Sequence, residues 1–356
     1  MNQYRLTLTP ITPVHVGTGE ELLPFNYIIK NIARSTAAPA FRLIRFSDVA
    51  LVQNMSRQDR ERLIPLAKKD DLIKLREFFI KTANTLVIQK QELIQSMSEV
   101  TSELLNLWED LLEHPNNMFI IRPMIAYALG GNKLFPYIPG SSLKGAIRTA
   151  IVDSDQVGRN KEKNKRYEKA QNDPLRSLAL TDAQFSGKGS RLVGAAFLYN
   201  AHNHTVESLQ MMYEVLKGQC LTEQALVSTS ILTIKPELQR VANFDWAIPD
   251  IQEIARRCNE FYGGLLEQEK ADFYQNDKEK VFQGFNFVHQ TMDAVRKAKN
   301  EFMIRVGRHS QFEYMTLNGD RRCENRKYHK ASRTLFKFKN AYYPMGWIHV
   351  RYEAVQ

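Results

Sequence analysis

Cysteine is scarce in this 356-residue chain, and long apolar runs are missing from it. Cys220, Cys258 and Cys323 are far apart and odd in number, which argues against a disulfide framework and against a zinc site of paired cysteines. No apolar stretch approaches the roughly 18 residues that a membrane-spanning helix needs. The first residues lack the apolar core of a signal peptide. We therefore expect a cytoplasmic globular protein with no membrane partner.

Positive charge is concentrated near the end of the chain. Residues 296–340 hold 13 Lys and Arg against four Asp and Glu, so this segment carries +9 of the net charge of +10. A nearly neutral body with one basic segment is typical of a polyanion binder, although a solvated basic face gives the same composition. Aromatic residues lie among these cations, a pattern that suits base stacking and equally suits core strands.

The periodicity of apolar residues predicts an α+β protein. Alternation over residues 3–9 predicts a first strand, and helical spacing predicts an insertion over about 47–113. Residues 153–172 contain a run without apolar side chains, which predicts a flexible basic loop. This loop would separate an N-terminal unit, 1–152, from a C-terminal α+β unit, 173–356.

Residues 139–142, Pro-Gly-Ser-Ser, predict a turn followed by a helix that either serine could cap. Lys144 and Arg148 are four residues apart and project from one helix face. Free amide groups, the positive helix end and two cations would suit a phosphate, whereas the alternative is an ordinary capped helix with solvated basic residues. Gly145 costs roughly 1 kcal/mol inside a helix, which predicts close approach of another backbone.

The loop at residues 12–19 follows the first predicted strand. Gly17 and Gly19 permit positive φ angles and close contacts. His15 could hydrogen-bond to a base or stack on it, but a single histidine in a loop is more often structural.

A second glycine loop, residues 305–312, follows a predicted strand near the basic segment. Gly307 is flanked by Arg305 and Arg308 and is followed by His309. Side chains and main chain together could contact phosphates here.

In this order, the three segments resemble the RAMP superfamily of CRISPR effector proteins. More narrowly, residues 305–310, followed by Thr-Leu at 316–317, Thr-Leu at 334–335 and Pro-Met-Gly-Trp at 344–347, resemble the fifth-subunit family of type III-A (Csm) complexes. The length also agrees better with that family than with the shorter backbone subunit. The sequence departs from the family pattern at Gln311, where a small residue, often glycine, is usual.

The resemblance implies one or two ferredoxin-like (RRM-type) units with helical insertions. It implies a structural subunit that binds the 3′ region of the crRNA without reading its sequence, caps a filament of backbone subunits and supports 3′-end maturation by recruited host nucleases. The implied partners are the crRNA, the RAMP backbone subunit and the small helical subunit. No cofactor, metal or catalytic residue is expected.

Thirteen residues are candidates for RNA binding. Ten are carried over by position from the resemblance, and Arg305, Lys327 and Arg333 come from the basic segment. The full set is His15, Gly17, Gly19, Ser141, Ser142, Lys144, Arg148, Arg305, Gly307, Arg308, His309, Lys327 and Arg333.

The alternative is a RAMP-type metal-independent endoribonuclease that processes precursor crRNA. Such cleavage needs a general base and acid with pKa values near 7, for which His15 and His309 are the candidates, with Lys144 as oxyanion stabiliser. A metal-dependent site would need clustered acids, and Asp48 fits the start of a helix better. A general single-strand binder outside CRISPR is a third possibility.

Overall fold

The computed structural model describes residues 2–33, 40–68, 72–112, 119–128, 131–154, 174–187, 189–200, 205–235, 250–274, 283–317 and 332–355. The strands in these ranges are β1 (Asn2–Pro10), β2 (Tyr27–Asn31), β3 (Phe41–Phe46), β4 (Ile94–Val100), β5 (Ile121–Arg122), β6 (Ala126–Ala128), β7 (Leu134–Ile138), β8 (Leu178–Leu180), β9 (Ala183–Gln184), β10 (Arg191–Asn200), β11 (Thr205–Leu216), β12 (Ser228–Ile234), β13 (Glu301–Arg305), β14 (Ser332–Phe338), β15 (Ala341–Tyr343) and β16 (Trp347–Ala354). The helices are α1 (Asp48–Asn54), α2 (Arg57–Lys68), α3 (Leu72–Gln89), α4 (Ser102–Leu112), α5 (Gly140–Ser154), α6 (Ile251–Glu269), α7 (Gln283–Lys297) and α8 (Phe312–Met315). None of these helices is long and apolar enough to cross a membrane.

The first sheet is antiparallel, with the order β13-β16-β1-β12-β8. Its central strand, β1, alternates as predicted: Leu6 and Leu8 are fully buried, whereas Thr7 and Thr9 lie on the opposite face. Helices α5 and α6 supply much of the core beneath the buried face. The sheet therefore joins the beginning of the chain to its end.

The second sheet has the order β15-β14-β10-β4-β3-β2, and β11 pairs with both β10 and β5. Strands β6, β7 and β9 form a third, small sheet. Phe336 on β14 and Trp347 on β16 are fully buried. Phe336 of the basic segment and Trp347 after it therefore belong to the core and are not available for base stacking.

The predicted helical segment, 47–113, is wrong at one place, because strand β4 separates α3 from α4. Ile94, Ser96 and Ser98 are its buried positions. Two of these three are serines, so the period of two does not show as a hydrophobic pattern. Ser98 is satisfied in the interior by donating its hydroxyl to Glu214 Oε1 at 2.5 Å.

The mixed α and β class is confirmed. Both large sheets combine strands from the two sides of the predicted loop at 153–172. Residues 153 and 154 of that loop end helix α5, and the rest lies outside the described residues.

Candidate nucleic-acid interface

The pairing of β16 brings the two glycine loops together. β1 and β13 are both antiparallel to β16, with Pro10 opposite Ile348 and Arg305 opposite Trp347. The two strands therefore run in the same direction, and the loops that follow them leave the same end of the sheet. This topology places residues 12–19 beside residues 305–312.

The contact between the loops is made by main-chain groups. Arg308 N donates to His15 O at 2.8 Å. Gly307 has φ +82°, and a Cβ atom there would collide with His15 O. Glycine is required at this position by both the left-handed conformation and the close approach. Gly346 N donates to Pro13 O at 2.8 Å and holds the first loop from its other side.

A cleft of about 260 Å³ opens where the loops meet. Five residues that the sequence predicted to bind RNA form much of its wall: His15, Gly17, Gly19, Gly307 and Arg308. The full lining is His15, Val16, Gly17, Gly19, Glu20, Arg122, Pro123, Gly307 and Arg308.

Both basic and acidic residues lie at the cleft. Arg308 is exposed. Arg122 donates to Glu21 Oε1 at 2.7 Å, and Glu20 lies 3.5 Å from Arg45 Nη2. Arg308 is therefore the predicted cation that is best placed to meet a ligand in the cleft.

His15 is buried and supports the loop from inside. Its Nδ1–H donates to Glu214 O at 2.7 Å, and its Nε2 would lie 2.7 Å from a Cβ atom at Gly17. Burial lowers the pKa of His15 and outweighs the raising effect of the hydrogen bond to Glu214. The imidazole is therefore neutral at pH 7, and any larger residue at Gly17 would displace it.

His309 is also neutral. Burial, followed by the nearby Arg308, lowers its pKa to about 3. The ring lies edge-to-face with Tyr213 at 5.0 Å, and Tyr213 makes the same kind of contact with His15 at 4.8 Å. The two histidines and the tyrosine therefore form one packed cluster under the cleft.

Arg305 and Arg333 were predicted to face RNA, and this is wrong. Both are buried, with 2% and 4% of their surfaces exposed. Arg305 Nη1 lies 3.1 Å from Glu269 Oε2, and Arg333 Nε lies 2.8 Å from Glu269 Oε1. Tyr314 donates its hydroxyl to Glu269 Oε2 at 2.7 Å. The buried Glu269 carboxylate pairs with both guanidinium groups, and Glu313 Oε1 lies 3.2 Å from Arg333 Nη2. Both arginines therefore hold the last loop in place from the interior.

The predicted helix begins at Gly140, but its first amide groups are already occupied. Gly140 N donates to Asp182 Oδ1 at 2.8 Å. Ser142 N and Leu143 N both donate to Pro139 O, at 2.9 and 3.2 Å. Asp182 therefore takes the capping role that was predicted for a serine, and three of the first four amide groups, those of Gly140, Ser142 and Leu143, are not free for a phosphate.

The structure does not place the basic face of α5 in the cleft. Ser141 is exposed, and Ser142, Lys144 and Arg148 are partly buried outside the cleft lining. A Cβ atom at Gly145 would have no neighbour within 4 Å, so the predicted close approach of another backbone is not made within the described residues.

Two links connect α5 to the two loops. Val16 O accepts from Ile125 N at 2.7 Å, and Ile125 O accepts from Tyr137 N just before the helix at 3.4 Å. On the other side, α8 follows the last loop and packs against α5.

Lys327, the remaining candidate for RNA binding, lies outside the described residues.

Gln311 adopts a backbone conformation that suits the small residue expected there from the resemblance. Its φ is 67° and its ψ is 152°, a region that is essentially restricted to glycine. Its side-chain amide donates to His309 O at 3.1 Å. The loop keeps the glycine-like conformation in spite of the glutamine.

Arg122 and Glu214 are the contributors that the sequence reasoning missed. Each is a charged residue inside an apolar strand, and that is the signal that could have found them. Glu214 is buried; its carboxylate accepts from Met124 N at 3.0 Å and its carbonyl holds His15. It therefore ties the first loop to the second sheet.

The described residues contain no group of three or more His, Cys, Asp or Glu side chains that could hold an ion. At the start of α1, Ser47 accepts from Ala50 N at 3.3 Å, and Asp48 occupies the first turn. Asp48 therefore belongs to a helix start.

The sequence profile of the RAMP superfamily matches residues 7–210, which is more than half of the chain. The chain belongs to the RAMP superfamily. That stretch includes the first glycine loop and α5, two of the three segments on which the resemblance was based.

Solved structures share the fold over almost the whole chain. A chain from the cryo-EM structure of a Csm–crRNA–target RNA ternary complex of a type III-A CRISPR-Cas system has a TM-score of 0.63 and 16% identity, with 98% of this chain and 100% of that chain covered. Csm5 of T. onnurineus has a TM-score of 0.55 and 15% identity, with 96% and 99% covered. No curated protein sequence matches.

Proposed function

We propose that this RAMP protein is an RNA-binding structural subunit of a type III-A (Csm) effector complex. It binds the 3′ region of the crRNA, caps the filament of backbone subunits and supports 3′-end maturation. Its partners are the crRNA, the RAMP backbone subunit, the small helical subunit and recruited host nucleases. The similarity of fold to a chain of a Csm–crRNA–target RNA complex supports this assignment.

The observation that carries the proposal is the meeting of the two glycine loops. Main-chain hydrogen bonding between Arg308 N and His15 O forms a cleft with glycines on both sides and Arg308 at its mouth. Glycines let a ribose-phosphate strand approach the protein backbone closely, and an arginine contacts phosphate without reading the base. This arrangement suits binding that does not depend on sequence.

The histidines favour binding over cleavage. General acid–base catalysis is most efficient with pKa values near the working pH. Burial lowers the pKa of His15, and it lowers that of His309 to about 3. Lys144 lies outside the cleft lining, so the three groups of the endoribonuclease alternative are not assembled around this cleft.

The test is binding of two unrelated single-stranded RNAs to the isolated chain, followed by fluorescence anisotropy across a salt series. Loss of one phosphate contact lowers the slope of log K against log salt by about 0.7 for a single strand. We expect Arg308→Ala to weaken binding of both RNAs by a similar factor and to lower this slope. Arg57→Ala, whose side chain is 90% exposed on α2, is the matched control and should change neither quantity.

Two results would contradict the proposal. Arg308→Ala could bind both RNAs as the wild type does, or it could lose affinity for only one sequence, which would indicate base readout. Cleavage of labelled repeat RNA, with or without Mg²⁺, would support the endoribonuclease instead. The role at the 3′ end is tested separately: complexes assembled without this chain should carry guides with longer and more heterogeneous 3′ ends.

A further inference from the structure

A groove outside the glycine-loop cleft runs along strand β4. It has a volume of about 610 Å³, and its walls come from β4, from β7 and from the turn before β10. Ser96 and Met97, which point to opposite faces of β4, both line it. A groove that is lined from both faces follows the edge of a strand, where backbone groups are open to a partner.

The edge is open because β10 pairs with β4 only at its end. The register joins Leu192 to Glu99 and Val193 to Val100, and the described residues of β10 make no pairing with residues 94–98. Gly189, with φ +73°, lies just before β10 begins. On the side of β4 away from β3, the groove therefore occupies a position that no strand of the described residues fills.

In the groove, basic side chains donate hydrogen bonds to main-chain carbonyls that the N–H groups of a neighbouring strand would otherwise reach. Lys133, the residue before β7, donates from Nζ to Ile94 O of β4 at 2.9 Å. Arg191 Nη2 donates to Leu134 O on β7. Ser96 Oγ is buried and has no hydrogen-bond partner among the described residues. The carbonyls of Ile94 and Leu134 accept hydrogen bonds from flexible side chains, and the Ser96 hydroxyl has no partner among the described residues. An added strand could supply hydrogen-bond partners to these groups.

The chemistry of the lining defines the occupant. Met97 is 52% exposed and shares the groove with Phe135 and Phe185. Exposed apolar side chains beside an open strand edge suit an extended peptide with a large apolar residue. Lys133, once displaced from Ile94 O, would present its charge to an acidic residue of that peptide. Glu99 also lines the groove, but its carboxylate is paired with Lys217 and Arg42 and does not oppose an acidic residue near Lys133.

We propose that this groove, bounded by β4, β7 and Gly189, binds an extended segment of a neighbouring protein subunit as an added β-strand. The segment carries one large apolar residue and a nearby Asp or Glu. This inference rests on the proposed function, because it requires that the chain assembles with other subunits.

The experiment uses the effector complex co-expressed with its own guide RNA. Benzoylphenylalanine replaces Met97, and illumination followed by mass spectrometry identifies the cross-linked peptide. Ile88, 59% exposed on α3, is the control position. We expect a cross-link from position 97, and none from 88, to an acidic, apolar segment of another protein subunit. We also expect Met97→Asp and Lys133→Glu to lower recovery of the chain with the complex at least tenfold, whereas Ile88→Asp leaves recovery unchanged.

A cross-link from position 97 to the guide RNA, to a second copy, or to residues 155–173 or 236–249 of the same chain would overturn the inference, as would the absence of a cross-link. RNA affinity of the isolated Met97→Asp protein should stay within twofold of the wild type. Normal affinity together with normal recovery would overturn the docking site and leave the proposed function standing. A wild-type chain that co-purifies with no subunit would overturn both.

Discussion

Replacing Glu269 by glutamine should be among the most damaging single changes in the described core. The carboxylate is 2% exposed and accepts from two buried arginines and from the Tyr314 hydroxyl. A glutamine side chain is nearly the same size, so the change removes the negative charge and creates no cavity. Within the described residues, Arg305 then remains buried without a counter-charge, and Arg333 keeps only Glu313, 3.2 Å away.

The expected loss follows from the cost of breaking a buried ion pair, about 3–5 kcal/mol when one partner is removed. Domains are typically stable by about 5–15 kcal/mol, so a large part of the stability would be lost. With a urea slope near 3 kcal/mol/M, the midpoint should fall by roughly 1–2 M. Because Arg305 begins the last glycine loop, the loss should also weaken RNA binding.

The pH dependence has a definite sign. Burial alone would raise the pKa of Glu269, but Arg305, Arg333 and the Tyr314 hydroxyl outweigh it, and the pKa is lowered. A lowered carboxyl pKa contributes stability that is fully present above the unfolded value, about 4.3, and that is lost as the pH falls through the folded value. The difference between wild type and Glu269→Gln should therefore shrink in acid.

The assay is urea unfolding at pH 7 and at pH 3.5, with Glu267→Gln as the matched control. Glu267 is on the same helix, but its side chain is 49% exposed and lies 3.4 Å from Arg296. Such a pair contributes less than about 1 kcal/mol. If Glu269→Gln unfolds within 1 kcal/mol of the control at pH 7, the buried network does not hold the loop, and the reasoning is refuted.

Three further predictions concern single residues. Gly145→Ala should raise the free energy of unfolding by up to about 1 kcal/mol, because its Cβ would meet nothing within 4 Å. A lower stability in urea would contradict this. Weaker RNA binding together with raised stability would show that RNA passes close to α5. Gln311→Gly should relieve backbone strain of about 1 kcal/mol or more and raise the urea midpoint of unfolding, since the φ of Gln311 is +67°. A lower midpoint would mean that the hydrogen bond from the Gln311 side chain to His309 O outweighs the strain. His309 should stay neutral from pH 8 to pH 5 in an NMR titration, because its pKa is about 3; a midpoint above 5 would refute its burial.

Local patterns predicted the strands and helices with ordinary periodicity. The alternation of β1 and the Pro-Gly start of α5 could be predicted because neighbouring residues alone determine them. Strand β4 could not, because two of its three buried positions are serines, and the partner of Ser98 is Glu214, more than a hundred residues away. A polar residue can occupy a core position when a distant partner pairs with it, and the partner is not visible in a local window.

In the candidate site, too, local sequence predicted some residues correctly and could not predict those that depend on distant partners. Gly307 was recognised from its arginine neighbours, and the structure explains it by the contact with His15 O. Arg305 and Arg333 belong to the same basic segment as Arg308, yet they are buried against Glu269, whereas Arg308 is exposed. Charge composition cannot distinguish a cation that meets a ligand from one that pairs with a buried carboxylate.

The neutral histidines connect the fold to the proposed role. His15 uses Nδ1–H to hold the Glu214 carbonyl, and its other nitrogen lies against Gly17, so the ring supports the first loop from below. His309 is packed on Tyr213 beside it. A cleaving enzyme needs such groups to exchange protons with RNA near neutral pH, whereas a binding subunit needs the loops to keep one shape. Burial lowers both pKa values and packs both rings under the loops, which suits the second role, and Arg308 is exposed at the cleft.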